Sequence, residues 1–144
     1  MNRFLIGVSI FLGIFFVGLG LHACEMHFSL VFPDGSEQEV VPGKSVSLAS
    51  GNSYTLKVEF IQDHRKCVTP PDQTVYLLQD EKWKSTKDYL PLQLLAQSEW
   101  HEATSDSWLQ EIGFRAVQQG EWELEVIRDC PKGGYDEYLA FQVN

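Results

Sequence analysis

The chain has 144 residues, and its 20 acidic residues outnumber its 11 lysines and arginines to leave a formal net charge of −9. A chain of this length accommodates one domain of ordinary size. This acidity argues against nucleic-acid binding, which depends on clustered lysines and arginines that neutralise phosphates, so we expect no nucleic-acid partner. It also argues against a peripheral domain that adheres to anionic lipid through its charge.

Residues 1–23 have the composition of a signal peptide or membrane anchor. Arg3 precedes a stretch of 18 uncharged residues, 4–21. This stretch is long for the apolar region of a signal peptide and just long enough for a transmembrane helix. In both cases the positive end stays inside, which places the rest of the chain outside the cytoplasm. We therefore expect a membrane-anchored extracytoplasmic protein, in the periplasm or at the cell surface.

The motif Leu-His-Ala-Cys at 21–24 resembles the bacterial lipobox, with Leu at −3, Ala at −1 and the modified cysteine at +1. The resemblance implies lipidation of Cys24 after cleavage of the leader. His22 departs from the small or apolar residue usual at −2, and strand-like sequence follows almost at once. An uncleaved transmembrane anchor and ordinary secretion remain the alternatives.

The first half of the domain predicts four β-strands, at residues 25–32, 37–41, 46–48 and 54–61. The first two are separated by the turn signal Pro33-Asp34-Gly35, in which Pro restricts φ and Gly accepts a positive φ. The fourth strand has the clearest alternation of apolar and polar residues, which is typical of a half-buried strand. Its apolar face carries Tyr54, Leu56, Val58 and Phe60.

The second half predicts four further strands, at residues 74–78, 108–116, 121–129 and 135–143. The connection 62–72 is polar and broken by two prolines. Between 80 and 107 the apolar residues fit neither the helical nor the strand period, and we interpret this stretch as one or two irregular edge strands with a long connection. The last two strands are joined by residues 130–134, whose two glycines suit a hairpin loop.

Seven or eight short strands with frequent turn signals predict an all-β fold. We expect an immunoglobulin-like antiparallel β-sandwich that follows an N-terminal hydrophobic helix. The predicted organisation is therefore a signal peptide or membrane anchor at residues 1–23 and a single β-sandwich domain at residues 24–144.

In an immunoglobulin-like strand order, the connection before strand 74–78 and the loop of the last hairpin lie at the same end of the sandwich. Each carries a cysteine, Cys67 and Cys130, and an oxidising compartment favours their pairing. We predict a disulfide between them, which would close a loop of roughly 60 residues and contribute about 4 kcal/mol. Cys24, the cysteine of the lipobox, would then be the one left over.

That disulfide would concentrate positive charge at one tip of an acidic protein, and we take this tip as the candidate binding surface. The candidate residues are His64, Arg65, Lys66, Lys132, Gly133, Gly134 and Tyr135. The alternative is that the disulfide serves stability alone and that these are ordinary solvated loop residues.

Metal and catalytic signatures are weak. Two short pairs, Cys24 with His27 and His64 with Cys67, contain residue types that bind zinc or copper, but such a site would use both the lipobox cysteine and a disulfide cysteine. We therefore expect no metal and no cofactor. The chain also lacks the motifs G-x-S-x-G, H-E-x-x-H and C-x-x-C, so we do not expect an enzyme.

Residues 108–143 resemble the C-terminal half of the chagasin-type inhibitors of cysteine proteases, whose fold is also an immunoglobulin-like sandwich. The shared features are Phe114-Arg-Ala116, Gly120, a strand ending in Arg128, a loop and the closing strand. Upstream, residues 41–48 and 54–58 resemble the entry strands of that family. The family's loop Asn-Pro-Thr-Thr-Gly-Tyr is replaced here by residues 62–67, and its Arg-Pro-Trp by residues 128–130. The resemblance therefore implies the topology, with protease inhibition as a distant alternative.

Two functions are compatible with these observations. The first is a membrane-tethered extracytoplasmic binding or interaction module that presents the disulfide-linked loops to a protein or peptide partner. The second is an accessory subunit of a membrane complex, anchored by an uncleaved N-terminal helix, whose aromatic-rich middle segment packs on a larger partner. A protease inhibitor and a metal-binding protein are more distant alternatives.

Overall fold

The computed structural model describes residues 24–62, 69–84, 91–131 and 133–144. These residues form eleven β-strands and one short 3-10 helix, Pro71–Gln73. The strands are β1 (Cys24–Val31), β2 (Glu37–Glu39), β3 (Ser45–Leu48), β4 (Ser53–Gln62), β5 (Val75–Leu78), β6 (Glu81–Lys82), β7 (Leu92–Gln97), β8 (His101–Thr104), β9 (Ser107–Ala116), β10 (Gly120–Arg128) and β11 (Tyr135–Val143). No helix long and apolar enough to cross a membrane occurs in these ranges. The predicted N-terminal helix, in residues 1–23, lies outside them.

The strands form two sheets. The first has the order β2-β1-β4-β9-β7, and the second has the order β3-β11-β10-β5-β6. Strand β8 also pairs with β9, so that β7 and β8 follow one another along the same edge of β9. The predicted all-β fold is confirmed, but the described residues hold eleven strands rather than seven or eight.

One strand pair differs from the predicted antiparallel arrangement. Strand β3 runs parallel to β11, with Val46 opposite Phe141 and Leu48 opposite Val143. The reason lies in the connections, because β3 continues through a turn into β4, which belongs to the other sheet. Since no hairpin joins β3 to β11, their connection does not impose an antiparallel pairing.

Alternating side chains build one core between the two sheets. In β4, residues 54, 56, 58 and 60 are buried, whereas the residues between them are partly exposed. Aromatic rings from the two sheets meet in this core, and the ring centroids of Phe114 in β9 and Phe141 in β11 are 5.9 Å apart. Each large apolar side chain buried in this way contributes about 1.5–3 kcal/mol to folding.

The segment 80–107 contains three short described strands rather than one or two. Strand β6 lies at the edge of the second sheet, and β7 and β8 lie at the edge of the first. Pairing between β7 and β9 shifts by one residue at Leu95, which is 43% exposed. Such a bulge interrupts the alternation of inward and outward side chains. The sequence pattern was therefore irregular because the strand itself is irregular.

Trp83 belongs to the domain's own core. Its side chain is buried, and its indole N–H donates a hydrogen bond to the carbonyl oxygen of Leu92 at 2.8 Å. Its ring also meets that of Phe114 edge-on, with 5.6 Å between centroids. At this position the middle segment packs inside the sandwich rather than offering an aromatic surface to a partner.

The sandwich has two ends, which we call the loop end and the far end. The loop end comprises the described residues 69–74, 104–107, 128–131 and 133–135. The far end comprises residues 32–36, 49–52, 116–119 and Asn144. Backbone hydrogen bonds join the segments of the far end, from Ser50 N to Asn144 O at 2.9 Å and from Gly51 N to Ala116 O at 2.7 Å.

Candidate functional site

Three residues of the predicted binding surface lie among the described residues, at the loop end. Gly133, Gly134 and Tyr135 lie where the β10–β11 loop enters β11. The other predicted residues lie outside the described ranges: His64, Arg65, Lys66, Cys67 and Lys132. The described segments around these positions define the geometry of the loop end.

A buried arginine connects the segments of the loop end. Arg128 is the last residue of β10, and its side chain is 0% exposed. Its guanidinium lies over the ring of Phe60 in β4, 3.8 Å from the ring centroid. Nη1 donates to the carbonyl oxygen of Pro70 at 3.0 Å, and Nη2 donates to the carbonyl oxygen of Thr69. Arg128 thus bonds the β4–β5 connection to the end of β10, and the two connections expected to share an end meet in their described parts.

A second buried polar group lies between the sheets near Arg128. The hydroxyl of Tyr76 in β5 donates to Oε1 of Gln110 in β9 at 2.9 Å, and Nε2 of Gln110 donates to the carbonyl oxygen of Ser98 at 2.9 Å. Burial raises the pKa of Tyr76, and the positive charge of Arg128 offsets part of this effect. These bonds satisfy polar atoms that would otherwise destabilise the core.

The two glycines of the candidate surface have backbone roles. A Cβ at Gly134 would lie 2.8 Å from the carbonyl oxygen of Arg128, too close for any side chain. Gly133 has a φ of +128°, a conformation that residues with a Cβ rarely adopt, and its N–H donates to the carbonyl oxygen of Cys130 at 3.1 Å. Both glycines are therefore needed to close the β10–β11 loop, whatever that loop binds.

Cys130 is buried at the start of this loop. Its side chain is 6% exposed and belongs to the hydrophobic core. Cys67, its predicted disulfide partner, lies outside the described residues. The disulfide between Cys67 and Cys130 therefore stays a prediction.

Tyr135 links the loop end to the first sheet. It is paired with Arg128 in the β10–β11 register, and its ring centroid is 6.0 Å from that of Phe28 in β1. Burial raises the pKa of Tyr135, and the nearby carboxylate of Glu137 raises it further. Its hydroxyl is therefore protonated at physiological pH, and the side chain acts as a partly buried aromatic contact.

The chain enters the sandwich at the loop end. Cys24 is the first residue of β1 and pairs with Gln62, the last residue of β4. The backbone N–H of Gln62 donates to the carbonyl oxygen of Asp106 in the β8–β9 turn at 2.8 Å. The predicted lipidation site thus adjoins the candidate surface, and its lipidation stays a prediction.

Of the candidate metal ligands, His27 is the one whose side chain the structure describes. His27 is exposed on β1, where its Nε2 lies 3.0 Å from Oε1 of Glu25. In the part of the chain that the structure describes, no three His, Cys, Asp or Glu residues are grouped to hold a metal. Two of the residues considered from the sequence, His64 and Cys67, lie outside that part.

A groove of about 630 Å³ occupies the outer face of the second sheet. Glu121, Glu123 and Glu125 of β10 contribute to its lining, together with Tyr138 of β11. The Tyr138 hydroxyl donates to Oε1 of Glu125 at 2.9 Å, and this hydrogen bond raises the pKa of Tyr138. Sequence reasoning missed this acidic face, although three glutamates at alternating positions of one strand were a signal for it.

The structural role of Arg128 was also missed in the sequence. Leu124 and Val126 occupy the inward positions before it, and Arg128 occupies the next one. A charged residue at an inward position of a core strand is a signal, because burying a charge requires specific partners. Its partners could not be read from the sequence, since Pro70 is 58 residues away along the chain.

The loop end combines the buried, hydrogen-bonded Arg128 with the tight β10–β11 loop, in which Gly134 lies against the Arg128 carbonyl oxygen. Its described connections come from three places in the chain, the β4–β5 connection, the β8–β9 turn and the β10–β11 loop. In comparisons with known proteins, no family model, no curated protein and no solved structure matches this chain.

Proposed function

We propose that this chain is a membrane-tethered extracytoplasmic interaction module that presents its loop end to a protein or peptide partner. The observation that carries the proposal is the position of Arg128, whose guanidinium bonds the carbonyl oxygens of Thr69 and Pro70. Backbone groups that are held in place before binding lose less conformational entropy when a partner binds. Loops positioned by a rigid scaffold are also the usual place for binding residues.

The strand order supports an immunoglobulin-like form of the sandwich. The series β1-β4-β9-β7 corresponds to strands A, B, E and D, and the series β11-β10-β5 corresponds to strands G, F and C. In this order the B–C and F–G connections share one end of the sandwich. Proteins with this architecture commonly bind their partners through loops at one end.

The tether and the compartment are inferred from the leader. A lipid on Cys24 or a retained helix in residues 1–23 would each hold the domain at the outer side of the membrane. Residues 24–144 have 20 acids against 10 bases, because Arg3 lies in the leader, and their charge of −10 disfavours a nucleic-acid partner.

An accessory subunit of a membrane complex is the second candidate. It is favoured by the pairing of Cys24 with Gln62, because the leader then joins the domain at the loop end itself. A permanent subunit would stay with its complex when the membrane is dissolved in mild detergent. A reversible interaction module would separate from its partner during purification.

The tether is tested by the intact mass of the protein purified from the membrane fraction of its native host or a close relative. A mass that matches a chain beginning at Cys24 with a diacylglyceryl or triacyl group indicates a lipoprotein. A mass that includes residues 1–23 indicates a retained anchor. Recovery of an unmodified chain in the soluble fraction contradicts the proposed tether.

The binding surface is tested by photo-crosslinking in cells. A photoreactive amino acid is placed at Ser105 in the β8–β9 turn or, as the matched control, at Asn52 in the β3–β4 turn. Both residues are exposed turn residues, at the loop end and the far end respectively. We expect a discrete protein adduct from position 105 and none from position 52. Adducts only from position 52 would contradict the assignment of the loop end.

A further inference from the structure

The first observation is that the leader joins the domain beside the loops. Cys24, Gln62 and Asp106 form one row across neighbouring chain segments, through the Cys24–Gln62 pair and the hydrogen bond from Gln62 N to Asp106 O. Neighbouring strands lie about 4.8 Å apart, so the row places the start of β1 within about 10 Å of the β8–β9 turn. Arg128 lies at the same end, because its guanidinium covers the ring of Phe60, two residues before Gln62.

The second observation is the distance to the far end. Strand β4 runs from Ser53 to Gln62, and ten residues of a strand span about 33 Å. Asn52 precedes that strand, and its carbonyl oxygen accepts a hydrogen bond from Ala116 N at 3.0 Å. The far end is therefore about 30 Å from the point at which the leader enters.

The third observation is that no spacer separates the leader from the sheet. Cys24 is already paired with Gln62, and the register continues without a break to the pair of Val31 with Thr55. Each extended residue spans at most about 3.5 Å. If the membrane attachment is at residue 23 or 24, almost no chain separates it from β1, and the domain cannot move far from the membrane. Lipid held by Cys24, or a helix ending near residue 23, would keep the loop end at the membrane surface.

We infer that the loop end faces the membrane and that its partner is a protein embedded in the same bilayer. This inference rests on the proposed tether and adds the class of partner to the proposed function. A soluble protein would have to enter the narrow space between the domain and the lipid headgroups. A membrane-embedded protein reaches the same surface from the side. The far end then points away from the membrane, and the outer faces of both sheets border the aqueous compartment.

The orientation is tested with the full-length protein in vesicles that carry nitroxide groups on the lipid headgroups of the outer leaflet. A fluorophore is attached through a bioorthogonal amino acid at Ser105 or at Asn52, which leaves the native cysteines untouched. Nitroxides quench only at short range, and the two positions are about 30 Å apart along the strands. We expect most of the emission to be lost from position 105 and little from position 52.

The outcomes separate this inference from the proposed function. Protein that does not stay with the vesicles contradicts the tether itself. Protein that stays with the vesicles but is quenched equally at both positions, or more at position 52, leaves the tether intact and overturns the orientation.

The partner class is tested with the photo-crosslinking variants. We expect the adduct from position 105 to remain with the membrane after an alkaline wash that strips peripheral proteins. An adduct that contains a soluble or peripheral protein overturns the inference about the partner. Adducts that contain lipid alone would mean that the loop end docks on the bilayer and would overturn it as well.

Discussion

The guanidinium of Arg128 lies over the ring of Phe60, 3.8 Å from its centroid, and so joins the end of β10 in one sheet to the end of β4 in the other. The ring of Trp108 also stacks with that of Phe60, with 5.6 Å between the two ring centroids. A cation over an aromatic face contributes about 2 kcal/mol when both are removed from water. This cluster supports the loop end from inside the sandwich.

Replacing Arg128 should destabilise the whole domain. Arg128→Met would leave the carbonyl oxygens of Thr69 and Pro70 without this donor and remove the contact with Phe60, and we expect a loss of about 3 kcal/mol in the free energy of unfolding. Arg128→Lys should recover only part of the loss, because an ammonium lacks the planar fork of donors. Urea unfolding followed by tryptophan fluorescence provides the measurement. Arg115→Met is the control, since Arg115 is exposed on β9, and equal losses in both variants would contradict the role of Arg128.

Alanine at Gly134 should be costly, whereas alanine at Gly113 should not. A Cβ at Gly134 meets the Arg128 carbonyl oxygen at 2.8 Å, but a Cβ at Gly113 meets only atoms of Ala96 at 3.9 Å. We expect Gly134→Ala to lower the free energy of unfolding by about 1–3 kcal/mol through displaced backbone. Gly113→Ala should change it by less than about 0.5 kcal/mol. Urea midpoints of the two variants compare them directly, and a tolerated Gly134→Ala would mean that the loop has room to shift.

Two tryptophans with the same hydrogen bond should differ in their contribution to stability. The indole N–H of Trp83 donates to Leu92 O and that of Trp122 to Gln118 O, each at 2.8 Å, but only the first bond is buried. Trp83→Phe leaves a buried carbonyl without its donor and a space beside Phe114, so we expect a loss of about 2 kcal/mol. Trp122→Phe should cost less than about 0.5 kcal/mol. Thermal unfolding measures both, and similar melting temperatures would contradict the prediction.

Tyr135 should make stability depend on alkaline pH. Its pKa is raised by burial, so folded Tyr135 keeps its proton at a pH at which the unfolded residue, with an ordinary pKa of about 10, loses it. The stabilisation is fully present below about pH 10 and is lost as the pH rises toward the folded pKa. In Tyr135→Phe, the unfolding free energy should decline less steeply above about pH 10, because about one proton fewer is released on unfolding. Urea midpoints across this range give the slope; parallel curves for variant and wild type would rule out the effect.

The predicted disulfide can be tested by peptide mapping under non-reducing conditions. We expect one linked peptide pair that contains Cys67 and Cys130. Cys67→Ser should lower the free energy of unfolding by about 4 kcal/mol, because a closed loop of roughly 60 residues is lost. Cys24→Ser should leave it unchanged. A bond between Cys67 and Cys24 would show that the pairing inferred from the sequence is wrong.

The strands with regular alternation could be predicted closely from the sequence. Strand β4 was expected at 54–61 and extends over Ser53–Gln62, and β11 was expected at its observed bounds, Tyr135–Val143. Alternation is a local property, because successive side chains of a strand point to opposite faces. This alternation can therefore be recognised in the sequence without knowledge of the neighbouring strands.

Features that depend on distant partners could not be predicted. The parallel pairing of β3 with β11 joins Val46 to Phe141, which are far apart in the sequence. The bulge at Leu95 obscured β7, because a bulge is stabilised by the partner strand rather than by the local sequence. The expected strand order placed the β4–β5 and β10–β11 connections at one end. The close approach of Gly134 to Arg128 could not be predicted from that order.

By itself, the sequence determined an uncharged apolar stretch at residues 4–21, the acidity of the rest of the chain, and the alternating apolar residues that must be buried between two sheets. The tertiary structure decided that β1 begins beside the loops, through the pairing of Cys24 with Gln62, and that Arg128 bonds the described part of the β4–β5 connection. The physical reason is that burial is encoded residue by residue, whereas the partners of a buried charge and the order of strands depend on which distant segments meet.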